Sequence, residues 1–272
     1  MVENKKENLE KRVNQHIDRI YEGILTADEL TQLTDSILSK IIDSQNELSE
    51  HITQEGEPWS ESTIVLITYA DTIKDKNNLP INTIDNFLHD YVKDFFEIVH
   101  ILPFFPSSSD TGFSVMDYYT IYYKFGQWND ILKISKDFGV MADVVINHGS
   151  SKGKWFSNFI NGRGKGCDYF LNFDEKFDVS KVVRPRTSDL LNSFDTNAGE
   201  KFVWCTFSRD QVDYNFSKPV VLYEFIEIII FYLSKGITVF RFDAVAFIWK
   251  KIGTRCINLD KTHEIVRLFR TL

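Results

Sequence analysis

Residues 140–148 read VMADVVINH and residues 236–244 read GITVFRFDA. Both are short apolar runs that carry ionisable side chains, Asp143 in the first and Arg241 with Asp243 in the second. Arg241 and Asp243 are two residues apart and so point to the same side of a strand. An isolated buried charge is unfavourable, so these residues are expected to be paired or functional. From spacing alone, a structural ion pair is as good an interpretation as a functional site.

Two further apolar runs precede these stretches, IVLITYA at 64–70 and IVHILPFF at 98–105. Continuous apolar runs are typical of strands buried on both faces of a parallel sheet. Segments with helical periodicity lie between and after them. The predicted helices cover residues 84–95, 128–138, 219–235 and 263–272, with Pro219 in a first turn and Gly236 as a C-terminal cap.

The alternation of strands and helices predicts an α/β fold of four βα units. The first three strands follow at the spacing of single βα units, whereas the fourth comes after a long segment rich in Gly, Asn, Asp and aromatic residues. We interpret that segment, residues 150–217, as an inserted loop region. Periodicity alone fits either an open doubly wound sheet or the first half of a (β/α)8 TIM-type barrel.

The N-terminal region differs from the rest of the chain. Its apolar residues follow helical spacing in two sets, and Thr26 with Glu29 fits a capping box at the start of the second. A helical hairpin that ends in a loop at 54–58 is expected. The predicted organisation is a helical extension at 1–57, a first part of the barrel at 58–149, the insertion at 150–217, and a continuation of the barrel at 218–272.

Composition restricts the function. The 272 residues are 43% hydrophobic with a formal net charge of −8, which predicts a packed core and disfavours nucleic acid or an anionic membrane as a partner. The most apolar run, 220–233, contains two glutamates and is too short to span a bilayer. Three widely spaced cysteines, without a CxxC pair, suit a reducing cytosol, so a cytoplasmic location is expected.

Polar residues at the ends of parallel strands are the first functional candidates. They include Asp110 in a Ser/Gly loop after the second strand, and Asn147 with His148 after the third. Taken singly, Asp110 is more typical of a turn, and Asn147 and His148 of a loop cap. Residues 162–166, GRGKG, could cradle a phosphate, but they do not join a strand to a helix, and a flexible loop is the better interpretation.

Together these stretches resemble the α-amylase superfamily of glycoside hydrolases and transglycosylases. Residues 143–148 resemble its first sequence block, 236–244 its second, and 211–215 the block of its inserted domain, with Tyr214 where leucine is usual. Residues 66–71, 100–105, 110–113 and 184–186 resemble the sucrose phosphorylase subfamily, which includes glucosylglycerate phosphorylases. The helical extension is more similar to the glucosylglycerate type.

The resemblance implies roles for individual residues. Asp243 matches the catalytic nucleophile and Arg241 the arginine that holds and ionises it. His148 and Asp110 match residues that bind the glucosyl unit, and Phe113 the aromatic platform beside it.

The remaining matches lie outside this innermost group. Arg186 matches an arginine that helps to admit phosphate or the acceptor, while Asp143 and Asn147 match scaffold positions of the first block. In calcium-binding amylases that asparagine can ligate calcium, but the resemblance to phosphorylases implies neither a metal nor a cofactor. The implied partners are a small sugar substrate and inorganic phosphate. The oligomeric state is left open.

The implied reaction is a retaining double displacement, in which a carboxylate forms a covalent glucosyl-enzyme and a second carboxylic acid protonates the leaving oxygen. Phosphate then takes the glucosyl group. The family's acid/base glutamate and its transition-state-stabilising aspartate belong to strands that would follow Leu272, so the chain is expected to be an incomplete, inactive fragment of a glucoside phosphorylase. An amylase-type hydrolase, a non-catalytic sugar-binding fragment and an open nucleotide-binding protein are the alternatives, the last disfavoured by the absence of a GxGxxG or Walker motif.

Overall fold

Four parallel strands form the central sheet of the computed structural model, which describes residues 2–48 and 59–272. Their bounds are Val65–Thr68 for β1, Ile98–Ile101 for β2, Gly139–Val145 for β3 and Ile237–Asp243 for β9. The strands are hydrogen-bonded in chain order, β1–β2–β3–β9. The predicted α/β fold with a parallel sheet is confirmed. The sequential order is that of an arc of a barrel, since a doubly wound sheet reverses its order at the centre.

The strands are shorter than the apolar runs that predicted them. The second run extends to residue 105, yet β2 ends at Ile101, because Pro103 has no N–H to donate to a neighbouring strand. Val99 and Val140, which pair across β2 and β3, are fully buried. On the opposite face Ile67 is 61% exposed, so the sheet is not closed into a barrel.

Helices follow the strands much as periodicity indicates, although their bounds shift. The first predicted helix ends in a π-helical turn at Leu88–Val92. The segment predicted at 128–138 is helical only to Ile134, and the last helix begins at Asp260, three residues earlier than predicted. The helices are α3 at Pro80–Phe87, α4 at Trp128–Ile134, α6 at Pro219–Ser234 and α7 at Asp260–Thr271.

The N-terminal region forms two helices, α1 at Val2–Tyr21 and α2 at Ala27–Leu48. The Glu29 carboxylate accepts a hydrogen bond from the Thr26 amide at 2.8 Å, as the capping box predicts. Helix α1 packs on α7, where Glu264 binds His16 at 2.6 Å, and α2 packs on α6. The loop predicted at 54–58 lies outside the described residues.

The long segment after β3 has more secondary structure than a loop region, so that part of the prediction is wrong. It contains helix α5 at Lys154–Asn161 and five short strands. These strands are β4 at His148–Ser150, β5 at Asn172–Phe173, β6 at Leu191–Thr196, β7 at Gly199–Trp204 and β8 at Gln211–Asp213. The strands β5, β7 and β6 form an antiparallel sheet with its own apolar cluster around Leu191 and Trp204, and β4 pairs with β8. That cluster gives the segment a core that its Gly- and Asn-rich composition did not reveal.

None of the helices within residues 2–48 and 59–272 combines the length and the apolar character needed to cross a bilayer. The most apolar run lies in α6, which also carries a buried charge. The carboxylate of Glu224 accepts hydrogen bonds from the hydroxyls of Tyr119 at 2.6 Å and Tyr169 at 2.8 Å.

Candidate functional site

Strands β3 and β9 place three charged side chains together. Asp143 lies opposite Arg241 in the parallel register, and the Arg241 guanidinium contacts the carboxylates of both Asp143 and Asp243, the latter at 3.2 Å. The side chain of Asp143 is fully buried, whereas that of Asp243 is 20% exposed. The contacts of Arg241 therefore fit both a structural ion pair and a functional site. The guanidinium neutralises the buried carboxylate of Asp143, and it also contacts the partly exposed carboxylate of Asp243.

His100 on β2 completes the surroundings of Asp143. Its Nε2 lies 2.8 Å from the second carboxylate oxygen of Asp143, and both side chains are buried. Sequence analysis gave His100 no role, although inward-pointing polar residues on neighbouring strands are a usable signal. Asp143 is therefore fixed from two sides, which matches the scaffold role that its sequence block implies.

The pKa of Asp243 follows from burial and from shared charge. Burial raises the pKa of Asp243 above its ordinary value, and this effect outweighs the lowering by the Arg241 guanidinium. The neighbouring Asp143 adds to the rise. Arg241 still favours the ionised form, but its charge is divided between two carboxylates.

His148 lies in β4, directly after β3, and is buried. Its Nε2 lies 3.0 Å from the carbonyl oxygen of Phe113, and its Nδ1 is 3.3 Å from the Asn147 side-chain nitrogen. A neutral imidazole protonated on Nε2 satisfies both contacts. Burial lowers the pKa of His148, which agrees with that neutral form.

The loop after β2 brings Asp110 and Phe113 to the same place. A 3-10 turn at Asp110–Gly112 is closed by Gly112, whose φ of 101° lies in the region that favours glycine. A Cβ at this position would lie 2.6 Å from the carbonyl oxygen of Pro103, so there is no room for a side chain. The Phe113 ring lies 5.7 Å from the Arg241 guanidinium, a cation–π distance. Through its carbonyl and its ring, Phe113 connects His148 to Arg241.

Gln211 is a further member of this group. Its side-chain nitrogen donates to the Asp110 carboxylate at 3.0 Å and lies 3.1 Å from the His148 imidazole. Sequence analysis quoted Gln211 only as part of a block and gave it no role. Its position at the start of β8, which pairs with β4, is what brings it beside His148.

A buried lysine occupies the neighbourhood of Asn147. The Lys250 ammonium is 2.8 Å from the Asn147 side-chain oxygen and 2.8 Å from the carboxylate of Asp213. Asn147 also donates to Asp213 at 3.0 Å. The oxygen that is a calcium ligand in some amylases is here bonded to an ammonium, so the local positive charge comes from the chain itself. Lys250 follows β9 in an irregular segment, and no periodicity or motif singled it out.

Two sequence candidates stand apart from this group. Arg186 is exposed, and within the described part of the chain no hydrogen bond or ion pair joins it to the other candidates. In the GRGKG segment the Lys165 ammonium lies 2.7 Å from the carboxylate of Glu224, and Gly162 caps α5 with a φ of 64°. This lysine is engaged by a carboxylate, which supports a structural loop and not a phosphate cradle.

The remaining candidates form one connected cluster at the carboxyl ends of β2, β3 and β9. A carboxylate held by an arginine, a neutral imidazole, a second carboxylate and an aromatic ring can bind a polyhydroxylated ligand and attack it. The members are Asp110, Phe113, Asp143, Asn147, His148, Gln211, Arg241 and Asp243.

Comparisons with known proteins identify the family of the chain. Residues 84–266 match the family model described as alpha amylase, catalytic domain. The chain is 46% identical over 215 residues to the glucosylglycerate phosphorylase of Spirochaeta thermophila, and 38% identical over 266 residues to that of Escherichia coli. These alignments cover 79% and 97% of this chain but 37% and 46% of those proteins, so the chain spans less than half the length of these relatives.

A solved structure gives the same result for the fold. The sucrose 6F-phosphate phosphorylase from Thermoanaerobacter thermosaccharolyticum superposes with a TM-score of 0.71 at 30% identity, over 80% of this chain and 46% of that one. These three relatives are phosphorylases, and residues 84–266 contain β2, β3, β9 and the charged residues of the cluster. This chain belongs to the family of the alpha-amylase catalytic domain.

Proposed function

We propose that this chain supplies the nucleophile half of an α-glucoside phosphorylase that transfers a glucosyl unit from glucosylglycerate to phosphate. The observation that carries the proposal is the contact of Arg241 with both Asp243 and Asp143 beside the neutral His148. The names of the relatives support the reaction, since three glucosylglycerate phosphorylases are 38–46% identical to this chain.

The proposed chemistry begins at Asp243. Its carboxylate attacks the anomeric carbon, the bond to the leaving oxygen breaks, and an ester to the glucosyl unit forms. Arg241 stabilises the ionised carboxylate before the attack. Phosphate then attacks the same carbon from the opposite face, which releases glucose 1-phosphate and restores the carboxylate.

The other cluster members hold the glucosyl unit. Asp110 offers an acceptor for sugar hydroxyls, Gln211 orients Asp110, and the imidazole of His148 lies beside them. The Phe113 ring gives an apolar wall. Arg186 is proposed to admit phosphate, to which its planar guanidinium is suited. Protonation of the leaving oxygen requires a second carboxylic acid, a role that the family resemblance assigns to none of the cluster residues.

The donor is proposed to be glucosylglycerate rather than sucrose. Three glucosylglycerate phosphorylases are 38–46% identical to this chain, whereas three sucrose phosphorylases are 26–30% identical. The alignment with the Escherichia coli glucosylglycerate phosphorylase also includes 97% of this chain. The N-terminal helices are thus part of what this chain shares with a glucosylglycerate enzyme.

The decisive experiment uses α-glucosyl fluoride, because fluoride departs without a proton and no general acid is needed. The expected result is a glucosyl ester on the peptide that contains Asp243, detected by mass spectrometry. Asp243→Asn should abolish it, whereas Asp178→Asn, an exposed aspartate of the insertion, should leave it unchanged.

Addition of phosphate to the glucosyl ester of Asp243 distinguishes phosphorolysis from hydrolysis. Release of the label as glucose 1-phosphate supports a phosphorylase, and release as free glucose supports a hydrolase. No label on the wild-type chain, or a label that persists in Asp243→Asn, contradicts the proposed nucleophile.

A further inference from the structure

Asp210 accepts an unusual number of hydroxyl hydrogen bonds. One carboxylate oxygen accepts from Ser108 at 2.6 Å, Ser109 at 2.7 Å and Ser114 at 3.2 Å. The other accepts from Ser151 at 2.8 Å and Ser150 at 3.3 Å. The carboxylate therefore joins three segments of the chain: the loop after β2, the end of β4 and the residue before β8.

The backbone of Asp210 reinforces the same junction. Its carbonyl oxygen accepts from the Ser151 amide at 2.9 Å and from the Ser114 hydroxyl at 3.1 Å. The hydroxyl donors lie at both ends of the loop and at the end of β4, so the loop is clamped at Ser108 and Ser109 on one side and at Ser114 on the other.

The clamped loop carries the glucosyl-site candidates Asp110 and Phe113, and two of its residues have a strained backbone. Asp110 and Thr111 have φ values of 56° and 50°, in the left-handed region that L-residues seldom adopt. Such a conformation persists only where the surroundings impose it. The internal hydrogen bonds of the loop are few, chiefly Ser108 to Ser114 at 3.1 Å and Phe113 to Asp110 at 3.0 Å.

We infer that Asp210 is a positioning residue of the glucosyl site, which holds the loop 108–114 so that Asp110 and Phe113 face His148 and Gln211. The effect of Asp210 on catalysis rests on the proposed function, but its contacts with the loop do not depend on that proposal. Asp210 precedes Gln211, and Gln211 itself bonds Asp110. The two adjacent side chains thus bond the same loop, Asp210 at its two ends and Gln211 at Asp110.

The charge of Asp210 strengthens the clamp. Burial alone raises the pKa of Asp210, but the hydrogen bonds from Ser108, Ser109, Ser151 and Ser114 together lower it below its ordinary value. The group is therefore an anion at neutral pH, and hydrogen bonds to an ionised acceptor are stronger than those between neutral groups.

Amide hydrogen exchange of the 272-residue chain, followed by mass spectrometry, tests the inference. In Asp210→Ala the amides of Ser108 and Phe113 should exchange about tenfold faster or more, since several hydrogen bonds to a charged group are lost. Amides of the core strand β3 should keep their rates. Asp178→Ala is the matched control, because it removes a carboxylate of the same insertion that bonds the Ser180 amide at 2.9 Å.

A role in overall stability alone would speed exchange in β3 as much as in the loop, and that result overturns the inference. Unchanged loop exchange overturns it as well. A milder variant guards against misfolding: Ser109→Ala should speed loop exchange in the wild-type background and add nothing in Asp210→Ala, because both changes remove the same contact. Additive effects of the two changes contradict the clamp.

The consequence for the glucosyl site is measured separately. The rate of Asp243 labelling by α-glucosyl fluoride should fall about tenfold or more in Asp210→Ala, since misplacement of the binding loop weakens alignment of the donor. If the wild-type chain is not labelled but loop exchange is still accelerated in Asp210→Ala, the proposed function is refuted and the clamp stands. Normal labelling with unchanged loop exchange would refute the clamp alone.

Discussion

The buried ion pair of Lys250 and Asp213 makes a strong prediction about stability. The Lys250 side chain is 5% exposed and that of Asp213 is fully buried. Asp213 also accepts hydrogen bonds from the Thr206 amide at 3.0 Å, the Thr206 hydroxyl at 2.5 Å and Asn147 at 3.0 Å. Lys250→Met keeps most of the side-chain volume but leaves this carboxylate without a countercharge.

The expected loss is about 3–5 kcal/mol in the free energy of unfolding, the range for removal of one partner of a buried pair. The three remaining hydrogen bonds place the value toward the lower end, near about 3 kcal/mol, because they still solvate part of the charge. Lys250→Met with Asp213→Asn should recover much of the loss, since the asparagine removes the unpaired charge while it keeps an acceptor for Thr206.

Urea unfolding followed by circular dichroism measures the change, with equal m values as the check on two-state behaviour. The control is Lys251→Met at the next position, whose side chain is exposed and which should stay within about 0.5 kcal/mol of the wild type. A loss below about 1 kcal/mol for Lys250→Met, or a double variant less stable than the single one, would show that this ammonium does not neutralise Asp213.

Three further predictions concern the pairing of β4 with β8 and the proposed nucleophile. Gly149→Ala should lower the free energy of unfolding by about 1–3 kcal/mol, because the new Cβ would lie 2.2 Å from the hydroxyl of the buried Tyr214. Urea unfolding measures the loss. The control is Gly199→Ala, whose Cβ meets no atom within 4 Å but whose φ of 100° is strained, so it separates steric overlap from backbone strain. Labelling of Asp243 should increase with pH and reach its plateau above the range of an ordinary aspartate, since burial raises the pKa of Asp243 and the carboxylate is the reactive form. Arg241→Met should move this acid limb to still higher pH, as it removes a charge that lowers the pKa, and a limb that stays in place or moves down would contradict the role assigned to Arg241.

Sequence analysis predicted the sheet and most of the cluster for a physical reason. Apolar runs identify buried strands, and polar residues at the ends of parallel strands converge on one edge of the sheet, which is how His148 and Asp243 were found. It did not predict Lys250, His100 or Asp210. Their importance arises from contacts with residues distant in sequence, such as Lys250 with Asn147, and neither periodicity nor local propensity contains that information.

The insertion shows the same limit at the level of structure. Its strands β5, β6 and β7 are short, and their apolar residues alternate with Asn, Asp and Lys, so the segment is similar in composition to a loop. Pairing between β6 and β7 and the cluster around Trp204 stabilise the strands only after the chain has folded. The insertion contributes Gln211 and Asp213 to the site. Both residues lie on β8, which is ordered by its pairing with β4.

The sharing of Arg241 between two carboxylates bears directly on how Asp243 would react. An arginine dedicated to Asp243 would lower its pKa and produce an abundant but weakly basic carboxylate. Here the buried Asp143 takes part of that charge, and the pKa of Asp243 is raised by burial. A carboxylate with a higher pKa is the more basic form, and basicity and nucleophilicity increase together within one class of group. His100, which binds the other oxygen of Asp143, keeps that scaffold carboxylate in place so that Arg241 remains divided between the two. The arrangement thus favours the reactivity of the ionised Asp243 carboxylate over its abundance, beside His148, whose pKa is lowered by burial.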